Sequence, residues 1–283
     1  MGLWNHVKTA FLLGALTGLL LLAGSFFGGR MGLFIGFWLS LVINIGSYWY
    51  SDKIVLRLYR AKEATVSKYP RLHQIVNEVA NKAKLPKPRV FVIPSSNPNA
   101  FATGRNPKHA VVAVTEGTLE LLSERELKGV IAHEMAHVKN KDILISSVAA
   151  VIASLIGVLA FAARWAGIFG GFGGNRDGPN FLELIVLAFV APIVATVLRL
   201  AISRSREFLA DETGAKFIQD SEGLSSALKK LEQSATSKPM RLGSQNTAHM
   251  FIVNPFRKGA FVNLFSTHPT TSQRIEKLES LAF

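Results

Sequence analysis

No cysteine occurs among the 283 residues of this chain. Disulfide frameworks, thiolate zinc sites and thiol nucleophiles are therefore excluded, and the absence fits a reducing compartment. Charge is also scarce, at 18% of residues, and acids are outnumbered: 19 Asp and Glu against 32 Lys and Arg leave a net charge of +13. The basic residues are scattered and no nucleic-acid recognition motif accompanies them, so nucleic acid is not the partner this excess implies. No internal repeat or low-complexity block is present. The Gly-rich stretch 167–179 lacks the Lys-Ser/Thr ending of a phosphate cradle and reads as a flexible linker.

Apolar residues are abundant, at 49%, with a mean hydropathy of +0.27, and they come in blocks. Residues 9–27, 31–50 and 143–163 are runs without charge, and the second ends in the interfacial cluster Tyr48, Trp49 and Tyr50. A fourth run, 181–201, contains Glu183, Pro192 and Arg199. Each is close to the roughly 20 residues that a bilayer core of ~30 Å requires. A mid-span proline kinks a helix and is tolerated in membranes, and the two charges near the span ends can reach the headgroups. The first run has the alternative reading of a cleaved signal peptide. The short turn Gly28-Gly29-Arg30 leads straight into the second run, which favours a helical hairpin.

Orientation follows from the basic residues. Segment 51–142 holds 16 Lys/Arg against 9 Asp/Glu, and 202–283 holds 11 against 8, whereas the two short loops carry only Arg30 and the pair Arg164 and Arg176. Positive charge stays inside, so both polar segments are expected in the cytoplasm, with 167–179 outside. The expected organisation is an N-terminal transmembrane hairpin (1–50), a cytoplasmic part (51–142), a second transmembrane pair (143–201) and a second cytoplasmic part (202–283).

Within the first cytoplasmic part, helical spacing runs over 62–84 until Leu85-Pro86-Lys87-Pro88 stops it. Residues 89–93 and 109–115 are strand candidates, separated by a Pro- and Gly-rich stretch, which suggests a hairpin with a long loop. Residues 118–141 read as helices broken at Ser123, where Ser123 and Glu126 have capping-box spacing.

That last helix carries His133-Glu134-Met135-Ala136-His137. Residues four apart share a helical face, so His133 and His137 can present two imidazoles to one metal ion. Glu134 is placed to take a proton from an attacking water. A catalytic zinc needs a third protein ligand. The stretch after the fourth run, Ser203 to Asp211, offers Glu207 as that ligand and Asp211 as an acid behind an imidazole. The competing reading is a solvated helix in which Arg204 and Arg206 pair with nearby acids. For the pentad the competing reading is a charged surface helix, against which Val130, Ile131, Ala132, Met135 and Ala136 make an apolar setting.

These residues resemble peptidase family M48. The resemblance rests on the pentad, on Arg206-Glu207-Phe208-Leu209-Ala210-Asp211 about seventy residues later, and on Asn99-Ala100-Phe101-Ala102-Thr103-Gly104. It extends to Ala248 to Pro255 and to Ser266-Thr267-His268-Pro269. The pentad alone is common to many unrelated peptidases; the combination is specific. The resemblance implies an α-helical membrane protein with four transmembrane helices and a mainly α, zincin-type cytoplasmic catalytic domain carrying a small β-hairpin or sheet. It implies one zinc ion per chain and endopeptidase activity at the cytoplasmic face of the cell membrane, on misfolded or damaged membrane proteins. Carried residue by residue, it makes His133, His137 and Glu207 the zinc ligands, Glu134 the general base and Asp211 the supporting acid. It also makes the strand at 109–115, with Val111, Val112 and Ala113, an edge strand for substrate, preceded by Asn99 and Ala100. His268 and Arg274 correspond to transition-state groups. His268-Pro269-Thr270-Thr271 departs from the second proline of many relatives. Taken singly, His268 also reads as a surface turn residue and Arg274 as a salt-bridging helix residue.

Three rivals remain. An intramembrane protease would bury its metal helix in the bilayer, whereas charges at 124–128 and 139–142 flank this one. A prenyl-protein peptidase would carry more spans. A non-catalytic membrane scaffold would have lost a ligand or the base, and all four residues are present.

Overall fold

The computed structural model describes residues 2–153, 204–237, 240, 245–254 and 269–281. Helix α1 (Gly2–Leu58) consists of two helical arms joined by a kink at Gly29, whose φ of 55° and ψ of −135° are open to glycine. The chain folds back there: Asn44 Nδ2 on the second arm donates to Thr17 Oγ1 (2.7 Å) and the Leu13 carbonyl on the first. The first two runs thus pack against each other as two helical arms. Its second arm, Gly29–Leu58, is among the described residues the one helix long and apolar enough to cross a bilayer. Its outer face shows Phe34, Ile35, Trp38, Val42 and Trp49 to the surroundings. The third run begins as helix α5 (Ile143–Ala153). Its remainder, the Gly-rich loop with Arg164 and Arg176, and the whole fourth run with Glu183, Pro192 and Arg199 lie outside the described residues.

After α1 come β1 (Lys62–Glu63), α2 (Pro70–Ala83), β2 (Arg89–Ile93), β3 (Ala100–Thr103), a 3-10 turn (Pro107–His109) and β4 (Val111–Thr115). The sheet order is β1-β2-β4-β3. Helix 62–84 of the sequence reading therefore starts later than expected: its first residues are an edge strand, and Pro70 opens α2 at a position where a missing N–H costs nothing.

Two expectations about the strands are corrected. β2 and β4 do not form a hairpin; they run parallel, Arg89 opposite Val111 through Ile93 opposite Thr115. The antiparallel partner of β4 is β3, inside the Pro- and Gly-rich stretch, and the connection turns at Gly104 (φ 131°). Nor is β4 an edge strand. Val111, Val112 and Ala113 are paired on both sides and fully buried, so their backbone has no free groups for a substrate.

The sheet has two buried faces with the period of two that a pleated strand imposes. Val90, Val92, Ala102, Val112 and Val114 meet α2 and α4 (Glu124–Lys139). Phe91, Ile93, Phe101, Val111 and Ala113 meet Tyr59 from the end of α1 and Phe251. Tyr59, Phe101 and Phe251 form a triangle of rings with centroids 5.0–5.7 Å apart, and Tyr59 bonds Thr247 through its hydroxyl.

α3 (Glu116–Leu121) leads to α4, which starts on the expected capping box: Glu126 N–H donates to Ser123 Oγ, and Ser123 N–H to the Glu126 carboxylate. Burial opposes ionisation of Glu126, but bonds from Lys230, Ser226 and Ser123 outweigh it and hold its pKa at about 2. This ties the start of α4 to α7 (Glu222–Ser237). α4 is the central helix, packed on β3, α2, α6 (Arg204–Ile218) and α7. α8 (Thr271–Glu279), with its own capping box at Thr270 and Gln273, closes the fold over α6 and α7.

Candidate active site

α4 is buried along most of its length, so the pentad is in the interior: His133 is 1% and Glu134 2% exposed. One helical turn sets the rings of His133 and His137 edge to face, 4.7 Å between centroids. α6 reaches them because Gly214 has no side chain; a Cβ there would come within 2.8 Å of the backbone of Ala132 and His133. About two turns back along α6, Glu207 then faces both rings.

The donor atoms converge. Nδ1 of His133 lies 2.8 Å from Asp211 Oδ1, and Nδ1 of His137 lies 3.3 Å from Asp142 Oδ2. A carboxylate at Nδ1 accepts a hydrogen bond from the ring N–H there, which keeps the proton on Nδ1 and leaves the lone pair on Nε2. The two Nε2 atoms are 3.2 Å apart, and Glu207 oxygens lie 3.8 Å from His133 and 3.6 Å from His137. Electron-rich atoms facing one another this closely call for a cation between them. Tetrahedral coordination with bonds of 2.0–2.1 Å separates neighbouring donors by about 3.4 Å, and two imidazoles with a carboxylate are a zinc donor set. The residues fit zinc.

Electrostatics follow from burial and carboxylates. Burial, opposed by Asp211, lowers the pKa of His133; for His137 burial is outweighed by Asp142 and Glu207, and its pKa is raised. Asp211 is buried, which alone would favour its neutral form, but Arg274 holds it ionised with bonds of 2.7 and 2.8 Å. Burial pushes the Glu134 carboxyl up to about 7; Glu207 adds to the rise, while His137, the backbone N–H of Ala102 and Arg274 oppose it. Ala102, His133, Glu134, His137, Asp142 and Glu207 line a cleft of about 30 Å³, together with His249, Met250, Phe251 and Ile252.

His133, Glu134, His137, Glu207 and Asp211 are thus brought together. Arg274 is not open to substrate: it is 2% exposed and spends its donors on Asp211 and on the Ile252 carbonyl. Asn99 and Ala100 face the chain itself, since Asn99 Nδ2 donates to the Val253 carbonyl and the Ala100 carbonyl accepts from Ile252 N–H. Val111, Val112 and Ala113 lie one strand away from the site. His268 lies outside the described residues. Sequence reasoning gave no role at the site to Asp142, Ala102 or His249, and read Arg206 only as a partner for nearby acids, which its pairing with Asp142 matches. Asp142 did carry a signal: an acid just past a helix C-terminus opposes the helix dipole and asks for a reason.

The model of peptidase family M48 matches residues 67–282. The chain belongs to that family. It is 52% identical over 282 residues to the protease HtpX homolog of Pyrococcus furiosus, an alignment covering 100% of this chain and 97% of the relative. With the protease HtpX homolog of Thermococcus kodakarensis it shares 53% over 283 residues, covering 100% and 98%. The corresponding figures for the Syntrophobacter fumaroxidans homolog are 51% over 280 residues, 98% and 99%. Among solved structures, the crystal structure of S. mikatae Ste24p matches with a TM-score of 0.51 at 18% identity, over 97% of this chain and 65% of that one; the likeness is one of fold. The protein is an M48 metalloprotease, and the metal used by this family, zinc, suits the buried trio His133, His137 and Glu207.

Proposed function

We propose that this M48 protease is a multi-pass membrane endopeptidase with its site at the cytoplasmic face, cleaving misfolded or damaged membrane proteins. The observation that carries the reading is the convergence of His133, His137 and Glu207 beside Glu134, next to a helix that begins at Ile143 with an apolar run. Four spans and the domain division 1–50, 51–142, 143–201 and 202–283 are part of the proposal, supported by the hydropathy blocks, the Lys/Arg distribution and the α1 hairpin.

His133, His137 and Glu207 would hold the zinc ion. When bound, zinc supplies a positive charge that polarises a scissile carbonyl and lowers the pKa of water. Asp211, fixed by Arg274, holds the His133 ring with Nε2 turned to the cleft. Glu134 is the base: a carboxyl near 7 can accept a proton from the attacking water and return it to the leaving amine. Substrate backbone would align with the outer edge of β3 at Ala102, the strand residue that lines the cleft, in place of the β4 edge expected from sequence. Backbone pairing recognises an extended chain more than a particular sequence, which suits a protease for damaged proteins.

Glu134→Gln should abolish casein cleavage by detergent-purified protein while zinc stays bound at one per chain. Cleavage that survives this change, or survives chelation, rejects the assignment.

A further inference from the structure

The His133–Asp211–Arg274 relay has a counterpart on the other imidazole. Asp142 Oδ2 is 3.3 Å from His137 Nδ1, and its Oδ1 is 3.1 Å from Arg206 Nε; Arg206 Nη2 also donates to the Asp142 carbonyl at 3.3 Å. Both side chains are withdrawn from water, Asp142 4% and Arg206 12% exposed.

Main-chain geometry fixes this arrangement. α4 is capped at its C-terminus by Asn140, and Lys141 takes the left-handed conformation at φ 60°. Lys141 N–H returns to the Val138 carbonyl (3.2 Å) and Asp142 N–H to the His137 carbonyl (2.9 Å). These two bonds are the helix-ending motif in which the second residue past the cap bonds back to the last full turn. The backbone of Asp142 is therefore tied to the same residue whose ring its side chain meets.

Resting on the zinc-site reading above, we infer that Asp142 is the positioning residue of His137 and that Arg206 orients Asp142. A carboxylate at Nδ1 selects the ring tautomer with its lone pair on Nε2, stops ring rotation and raises ligand basicity. Arg206 precedes Glu207, so the residue that supplies the third donor carries beside it the anchor of the second. In sequence Asp142 and Arg206 also bracket 143–205, which contains the two apolar runs and their loop. The ion pair joins the two metal-bearing segments at the point where that insertion leaves and returns.

The test is zinc binding by the full-length chain in detergent, by chelator competition, together with the d–d spectrum of the cobalt(II) form. Asp142→Asn should raise the zinc Kd about 10- to 100-fold, the range typical for groups behind a ligand, and shift the cobalt spectrum. Asp142→Glu should restore part of the loss. Arg206→Gln should weaken binding less, and the Asp142→Asn/Arg206→Gln double variant should lose less than the two single losses combined. A folded Asp142→Asn with wild-type Kd and an unchanged cobalt spectrum overturns the inference. Should Asp142→Asn not fold, the same two measurements on Arg206→Gln decide, and no change there overturns it as well. Failure of the underlying site looks different: His133→Ala and Glu207→Gln would then keep wild-type zinc affinity.

Discussion

Two buried groups at the site have opposite relations to their own burial. Glu134 is a carboxyl that burial leaves near 7 instead of its ordinary 4.5. Between those pH values the folded protein keeps a proton that the unfolded chain releases, so in the metal-free protein stability falls as pH rises through this window. Above pH 7 the full penalty, roughly 3 kcal/mol, is in force. Glu134→Gln never ionises. Metal-free Glu134→Gln should therefore melt well above metal-free wild type at pH 8 and level with it at pH 4, by thermal denaturation with chelator present. Zinc, a nearby positive charge, should narrow the gap at pH 8. Arg274 is the reverse case, a buried cation whose partner Asp211 is as deeply buried. Removing one partner leaves the other charged in the interior, a loss of about 3–5 kcal/mol. Arg274→Met should cost about that much in urea denaturation, and the Arg274→Met/Asp211→Leu double variant should recover much of it.

Among the elements, α4 and α6 matter most, because the metal donors are divided between them. Their contact depends on Gly214, where even a methyl group would meet the α4 backbone. Gly214→Ala should therefore separate the helices and move Glu207 from the two imidazoles. Zinc affinity is expected to fall at least tenfold, with a loss of about 1–3 kcal/mol of stability from the overpacked contact; equilibrium dialysis and melting of the zinc-loaded protein measure both. The start of α4 was legible in sequence because a capping box is a local pattern, four residues long. β3 was not. Ala-Phe-Ala-Thr between Pro98 and Gly104 has weak strand propensity, and it becomes a strand because β4 lies beside it and Phe101 enters the ring cluster with Tyr59 and Phe251. The same pairing moved the candidate substrate edge from β4 to β3.

For the molecule as a whole, the apolar blocks and the basic residues beside them set the expected topology. The lack of native cysteine makes that topology measurable without background. Val66→Cys, at a position 61% exposed beyond α1, should react with a membrane-impermeant maleimide in inside-out vesicles only. Asp177→Cys, in the Gly-rich stretch, should react in right-side-out vesicles only. Labelling of both from one side would reject the four-span arrangement.

The sequence by itself determined the chemistry: two imidazoles and a base on one helical face, an acid-bearing helix beyond the fourth apolar run, and the absence of any thiol to compete for metal. It could do so because helical periodicity is local, so a spacing of four fixes which side chains share a face. Only the tertiary structure decided what stands behind the donors. Asp142 meets His137 through a left-handed turn at Lys141, and Arg274 meets Asp211 across 63 positions of sequence. Which strand lies at the edge of the sheet was likewise a matter of long-range pairing, which no local pattern encodes. The pentad named the metal; the folded chain chose the carboxylates that aim it.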